Sequence, residues 1–165
     1  MESNCHTPDA TAVAFFSIAG IKILISHDNE MRNRLMPYPL DKLCFQIFKL
    51  DRRVRYAGVL DDTGRVIAGG MRKGISSLEP ASEDLRLMAN LTIQIGTDKT
   101  WDQYFGKIQY TLVKREKVTM LIFGVGNYLM LITTQPDFDQ EQMAQLRDTV
   151  ITIYTTGMLP EKPSK

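Results

Sequence analysis

The chain has 165 residues, with 20 lysines and arginines against 19 aspartates and glutamates, and 44% of its residues are hydrophobic. These values are typical of one globular domain, which at this size buries roughly 68–70% of its unfolded surface and needs no metal ion or disulfide for its core. A formal charge of +1 excludes a global field that would attract nucleic acid or an anionic membrane. Cys5 and Cys44 form no CxxC pair, and we expect a cytoplasmic protein.

Residues 1–35 are predicted to be an extension that precedes the main domain. Residues 10–26 are apolar, but Lys22 interrupts them before they reach the about 20 residues that span a bilayer. The residues before this stretch also lack the positive charge of a signal peptide. The extension is expected to form a short hairpin about Ala19-Gly20 or to be poorly ordered. An upstream start codon that adds little to function is another interpretation.

A main domain is predicted over residues 36–158, with a disordered tail at 159–165. Its first helix begins near Asp41, and apolar residues at helical spacing define its buried stripe, which contains Leu43, Ile47 and Leu50. Two short β-rich runs follow at residues 55–60 and 65–70. The Asp-Asp-Thr-Gly sequence between them is typical of a hairpin turn.

A second, longer helix is predicted over residues 79–95. Ser76 and Glu79 have the spacing of a capping box, and Gly96 is expected to end the helix. Its apolar stripe is predicted to contain Leu85, Met88, Leu91 and Ile95. Residues 97–106 are expected to cover the core in irregular or one-turn form.

Three strands are predicted next, at residues 107–115, 118–125 and 128–133. The first alternates apolar with polar residues, as a strand with one solvated face does, whereas the other two are apolar on both faces, as central strands are. The short turns between them favour antiparallel neighbours. A last helix follows, which Asp137 is expected to cap with Gln140 at the reciprocal position.

The predicted order over residues 40–157, α-β-β-α-β-β-β-α, resembles the roadblock/LC7 module, a relative of longin and profilin-like domains. RYAGVLDDTGRVIAGG is similar to the first hairpin of that module, and LCFQIFKLDRRVRYAGVLDDTGRVIAGGMRKG resembles an uncharacterised family of small archaeal proteins. The resemblance implies an α+β fold: a five-stranded antiparallel sheet with one helix on one face and two on the other. PAS and GAF domains share this plan and are the alternative, although PAS modules usually place several short helices where one long helix is predicted here.

The sequence of the main domain contains no motif of a catalytic, cofactor or metal site. Both histidines, His6 and His27, lie in the extension, which excludes a Ser-His-Asp or Cys-His pair from residues 36–165. Cys44 falls on the apolar stripe of the first helix, where a thiol is usually a small buried hydrophobe. We therefore predict that the protein is not an enzyme and binds no cofactor or metal.

Basic residues at strand ends and turns are a further candidate site. If the fold brought them to one edge, they would bind an anion or an acidic partner; the predicted residues are Arg72, Lys73, Arg115 and Lys117. Gly69 and Gly70 match no phosphate-binding motif, so an irregular strand end is favoured over a nest that binds an anion. Because charges nearly balance, neither nucleic acid nor a membrane is an expected partner.

The resemblance implies a non-enzymatic interaction module that acts as a homodimer. In the roadblock/LC7 module, a sheet edge pairs with its copy, and the helix between strands two and three packs beside its equivalent. The matching edge here is strand 107–115, where Ile108, Tyr110 and Leu112 would otherwise be an aggregation hazard. The exposed flank of helix 79–95 would form the second contact. The resemblance also implies a scaffold or regulator of a small GTPase-like partner.

A small-ligand sensor of the PAS or GAF type is the alternative function. Its ligand would lie between the sheet and the second helix, near Trp101 and Tyr104. The chain has nine methionines, which can line an adaptable pocket but more often fill a core.

Overall fold

The computed structural model describes residues 17–18, 21–22 and 38–159. The chain divides into two units, Met1–Met36 and Pro37–Lys165. The predictions for the two histidines, for Cys5 and for the tail beyond residue 159 lie outside the described residues.

The first unit contains a short pair of strands. Strand β1 (Ser17–Ile18) pairs antiparallel with strand β2 (Ile21–Lys22), so that Ser17 lies opposite Lys22. Pairing at this position is the arrangement that the hairpin interpretation expects.

The second unit contains one antiparallel sheet of five strands in the order β4-β3-β7-β6-β5. Its elements, in chain order, are α1 (Leu40–Leu50), β3 (Val54–Leu60), β4 (Val66–Met71), α2 (Ala81–Asp98), α3 (Asp102–Phe105), β5 (Thr111–Lys114), β6 (Thr119–Val125), β7 (Tyr128–Thr134) and α4 (Gln140–Thr156). A short 3-10 turn, Lys99–Trp101, joins α2 to α3. The predicted α+β fold is confirmed, and β4 and β5 are the two edges of the sheet.

Helices cover both faces of this sheet. On one face, α1 and α4 enclose the larger core through Leu43, Ile47, Met143, Leu146 and Val150, among other residues. On the other face, α2 packs alone through Met88, Leu91 and Ile95. This is the division of helices that the resemblance implies.

The central strands are apolar on both faces because each face is covered. In β6, Leu121 and Phe123 belong to the core under α1 and α4, whereas Met120 and Ile122 belong to the core under α2. Burial of both faces removes the polar alternation that marks a strand with one solvated face.

Two predicted helix starts are wrong by two residues. Helix α2 begins at Ala81 with no side-chain cap, because Pro80 is extended and a proline disfavours helical backbone in the residue before it, here Glu79. Helix α4 is capped by Asp139, whose side chain accepts from the Gln142 N–H in a complete capping box. Asp137 instead lies 3.7 Å from the Arg53 guanidinium.

Two other boundaries also differ from the prediction. Gly96 does not end α2, which continues to Asp98, because an interior glycine costs a helix only about 1 kcal/mol. Strand β5 begins at Thr111 rather than at residue 107. The preceding Tyr110 is held by α4, where the Arg147 guanidinium lies 5.4 Å from its ring centre.

The two glycines of β4 are paired strand residues and not a phosphate-binding loop. Gly69 lies opposite Gly58, and Gly70 lies opposite Ala57. Gly69 has a φ of +85°, and a Cβ there would meet the Ala57 carbonyl and come within 2.7 Å of the Cys44 Sγ. Helix α1 therefore approaches β4 more closely than a side chain at position 69 would allow.

Candidate interaction site

Strand β5 presents an open edge of the sheet. One side pairs with β6, in a register that places Leu112 opposite Leu121, and no described strand covers the other side. Tyr110 and Leu112 are half-buried against the core under α1 and α4, whereas Ile108 precedes the strand and is 40% exposed. The unpaired N–H and C=O groups of such an edge are a template for another strand.

A cluster of exposed aromatic side chains lies beside the start of β5. Trp101, Tyr104 and Phe105, here called the aromatic cluster, have ring centres 6.2–6.5 Å apart. Phe105 is 83% exposed and Trp101 is 55% exposed, so the expectation that this segment covers the core is wrong. Trp101 and Phe105 line a shallow depression together with Ile108 and Thr111, which connects the cluster to the strand edge.

A second apolar surface lies on α2, away from the aromatic cluster. Leu85 is 75% exposed and Ile93 is 67% exposed, and their spacing of eight residues places both on one helix face. The prediction that Leu85 belongs to the buried stripe is therefore wrong. Gly64, in the turn between β3 and β4, approaches the helix at Ala89 and Thr92. The exposed stripe thus follows the flank of α2 next to that turn.

A cleft of about 730 Å³ lies between the sheet and the first turns of α2. Its apolar lining includes Tyr56, Met71, Leu87, Met88, Met120 and Leu131. The Tyr56 hydroxyl is buried and has no hydrogen-bond partner among the described residues. Burial, together with the nearby Cys44, Asp84 and Glu79, raises the pKa of Tyr56 to about 12.

Four cations line this cleft, and two of them belong to the predicted basic patch. Arg115 and Lys117 lie in the turn after β5, and Arg55 and Lys114 join them. Lys73 is not among the lining residues.

Arg72 does not belong to the basic patch that the sequence predicts, because its guanidinium is bound to the backbone. Its guanidinium donates to the carbonyls of Val54, Phe48 and Asp51 at 2.6–2.8 Å. It also lies 5.1 Å from the Phe48 ring centre. Arg72 therefore joins the end of α1 to the start of β3, and this role takes up donors that an anion would need.

One acidic residue lines the side of the cleft at the start of α2. Glu79 lines it, and burial, followed by the neighbouring Glu79, raises the pKa of the Asp84 carboxyl. The cleft thus has an excess of positive charge at the β5–β6 turn, where Glu116 accompanies three cations, and a single carboxylate, Glu79, at the start of α2.

The described residues give little support to a nucleophilic cysteine or a metal site. Burial, then the nearby Asp41, raises the pKa of the Cys44 thiol to about 11, which leaves little nucleophilic thiolate near neutral pH. Residues 38–159 and the four described residues of the first unit contain no group of three or more His, Cys, Asp or Glu that could hold a metal ion. Within the same residues, no helix has the length and apolar character needed to cross a bilayer.

Comparison of the chain with protein families gives a match over residues 40–151 to a family described as a family of unknown function, DUF6659. The chain belongs to this family. The match spans α1 to most of α4, and therefore includes the cleft, the aromatic cluster and the β5 edge. No curated protein matches the chain.

Solved structures resemble the DUF6659 chain in fold. The gliding protein MglB from Thermus thermophilus has a TM-score of 0.57 at 12% identity, over 73% of this chain and 93% of that protein. Myxococcus xanthus MglB has a TM-score of 0.53 at 12% identity, over 72% and 92% of the two chains. A Roadblock/LC7 domain from Streptomyces avermitilis has a TM-score of 0.49 at 16% identity, over 68% and 95%. The DUF6659 chain thus shares the fold of the two MglB proteins, an antiparallel sheet with helices on both faces.

Sequence patterns could not locate the main surfaces of this DUF6659 protein. The cleft described above lies at the start of α2, whereas a second cavity of about 640 Å³ lies at the other end of that helix, next to Asp102 and Ile108. The second cavity is nearer to the place, by Trp101 and Tyr104, where the ligand-sensor alternative expects its ligand, and that alternative stays a prediction.

Tyr56 and Met71, which line the cleft at the start of α2, belong to the first hairpin and look like ordinary strand residues. The sequence feature that best points to the cleft is the cluster of Lys114, Arg115 and Lys117. All three line the cleft because they lie at or within the turn after β5.

Proposed function

We propose that this DUF6659 protein is a non-enzymatic interaction module that forms a homodimer through the edge strand β5. The observation that carries the proposal is the aromatic cluster, which places three exposed rings directly beside that open edge. Large exposed apolar groups of this kind usually mark an interface.

Edge pairing and aromatic packing would reinforce each other. In the dimer, β5 of each copy would satisfy the free backbone groups of the other, so that the two sheets join. Because β5 has only four residues, backbone pairing alone is a small contact. A stable interface buries about 800 Å² on each partner. Rings at Trp101, Tyr104 and Phe105 would supply much of the remaining area.

A small GTPase-like protein is the proposed partner of this dimer. The roadblock/LC7-like fold supports this proposal, since such modules are typically scaffolds or regulators of small GTPases. We assign this partner to the exposed stripe of Leu85 and Ile93, because the stripe lies outside the β5 edge that the dimer would use. The stripe follows the flank of α2 next to the β3–β4 turn. A cytoplasmic location accords with the free, buried Cys44.

Sedimentation velocity at about 10–50 µM protein tests the dimer. We expect the wild type to sediment as a dimer, and the double variant Tyr104→Glu/Phe105→Glu to sediment as a folded monomer. We assign the exposed flank of α2 to the GTPase-like partner and not to a second dimer contact, so Leu85→Glu/Ile93→Glu is the matched control: it exchanges two similarly exposed apolar residues outside the β5 edge and should remain dimeric. A wild type that is monomeric throughout this range contradicts the proposal.

Binding of purified small GTPases, loaded with GDP or a GTP analogue, tests the partner. We expect one nucleotide state to bind the wild-type dimer, and Leu85→Glu/Ile93→Glu to weaken that binding at least about tenfold, because two apolar contacts are replaced by charge. The result against this assignment is equal binding by the wild type and by this variant.

A further inference from the structure

The cleft beside α2 is a consequence of where that helix begins to touch the sheet. No residue of α2 before Met88 is buried, whereas Met88, Leu91 and Ile95 pack on the strands. The first two turns therefore leave a space above β3 and β6, and the loop before the helix closes one side of it through Ser77 and Leu78.

The size and lining of this cleft are those of a small-molecule site. Its volume, about 730 Å³, lies within the usual range of about 300–1,000 Å³ for ligand pockets. Methionines contribute three lining residues, Met71, Met88 and Met120, and their unbranched side chains adapt to an apolar ligand of variable shape.

Charge at the opening is unequally distributed. The turn between β5 and β6 is closed by a 2.9 Å bond from the Arg115 N–H to the Val118 carbonyl, and it presents three cations, Lys114, Arg115 and Lys117, together with one carboxylate, Glu116. All three are exposed, and none forms an ion pair with a described residue. These cations are therefore free to meet a negative group.

The loop opposite this turn is attached to the sheet and adds no excess of positive charge to the cleft. Arg55 donates to the Ser76 carbonyl at 3.0 Å, which joins the loop to β3. Glu79 lies at its end, next to Asp84. At the loop the charges of Arg55 and Glu79 balance, whereas in the β5–β6 turn the cations outnumber the one carboxylate, Glu116, so an anionic head group is favoured beside Arg115 and Lys117.

We propose that this cleft binds an anionic amphiphile, whose apolar chain lies among Met71, Leu87 and Met120 and whose carboxylate or phosphate head is bound by Arg115 and Lys117. A cationic or neutral head would lose this contact. The aromatic cluster and the exposed α2 stripe contribute no residue to the cleft, and β5 contributes only its last residue, Lys114, to which the proposal assigns no contact. The proposal therefore does not rest on dimer formation or on a GTPase partner.

The experiment is an amide NMR titration of the full chain with decanoate, decyl phosphate and decyltrimethylammonium, each below its micelle concentration, and with butyrate. We expect decanoate or decyl phosphate to shift the amides of Tyr56, Met71 and Val118 with a dissociation constant below about 1 mM. The tighter of the two identifies the head group. Butyrate lacks the chain and should leave these amides unshifted.

Two variants test the two ends of the ligand. Arg115→Gln/Lys117→Gln should weaken binding of the anion about three- to tenfold, as expected for two solvent-exposed charge contacts. The matched control, Lys99→Gln/Lys107→Gln, removes two cations at the far end of α2 and should bind like the wild type. Ser77→Trp, in the loop, should block the cleft and abolish binding.

Three results would overturn the proposal. The first is equal binding of decyltrimethylammonium and decanoate, and the second is a set of shifts centred on Trp101 rather than on Tyr56. The third is equal weakening by the two double variants, which would show a general charge effect. If Ser77→Trp fails to fold, the comparison of the two double charge variants still tests whether the anion binds beside Arg115 and Lys117.

Discussion

The side chain of Tyr56 lies over Gly58, two residues further along the same strand, and its hydroxyl occupies the space where a Cβ of Gly58 would be. Residues i and i+2 of a strand share a face, so both belong to the side of the sheet that α2 covers. Gly58 thus shapes the floor of the cleft through Tyr56, because its missing side chain lets the Tyr56 ring lie along the strand.

Substitution of Gly58 by alanine should displace this ring. A methyl group here overlaps the phenol, and overpacking of a core typically costs about 1–3 kcal/mol in the free energy of unfolding. Urea denaturation measures the loss. Gly124→Ala in β6 is the matched control, because nothing lies within 4 Å of a Cβ there, and it should cost little or nothing. Equal losses in the two variants would argue against the Tyr56 position.

Substitution of Arg72 by methionine should destabilise the protein by about 1–3 kcal/mol, because three carbonyls at the end of α1 and the start of β3 lose a charged donor. The neighbouring variant, Lys73→Met, removes the same charge from an exposed side chain and should have almost no effect. Urea denaturation separates the two. An Arg72 variant as stable as the Lys73 variant would show that the guanidinium bonds contribute little.

Substitution of Asp139 by alanine should lower the free energy of unfolding by about 1 kcal/mol, the usual cost of a lost N-cap. Asp137→Ala should cost less, because its carboxylate is exposed and its contact with Arg53 is long. Thermal or urea unfolding of both variants decides which aspartate caps α4. A larger loss for Asp137→Ala than for Asp139→Ala would show that Asp137 caps α4, as the sequence predicts.

Alkaline pH should destabilise the fold through Cys44 and Tyr56. Burial raises the pKa of Cys44 from 9.0 to about 11 and that of Tyr56 from 10.0 to about 12, so each group holds its proton more tightly when folded. Their contribution is complete below about pH 9 and is lost as pH rises to about 12. Urea unfolding at pH 8 to 12 measures this decline. In Cys44→Ala the decline should be smaller, and an unchanged decline would exclude the thiol.

How much of the fold is predictable depends on how local each signal is. The stripe of Leu43 and Ile47 and the apolar run of β6 each lie within one segment, and hydrophobic spacing reveals such segments directly. The cap of α4 is not predictable in this way, because Asp137 and Asp139 both have a polar partner three residues later and spacing alone cannot choose between them.

The candidate surfaces depend on contacts between distant segments. Leu85 has the spacing of a core residue but is exposed, because the fully buried residues of α2 begin only at Met88. Arg72 and Arg115 look alike in sequence, yet one is bound to backbone carbonyls and the other lines a cleft.

The sequence by itself determined the order of helices and strands and the double burial of the central strands, because these follow from the spacing of apolar residues within each segment. Only the tertiary structure decided which cations share the β5–β6 side of the cleft, which aromatic rings remain exposed and which glycines make room for neighbours. Those outcomes depend on where α2 crosses the sheet, and that crossing is set by packing between residues far apart in the chain.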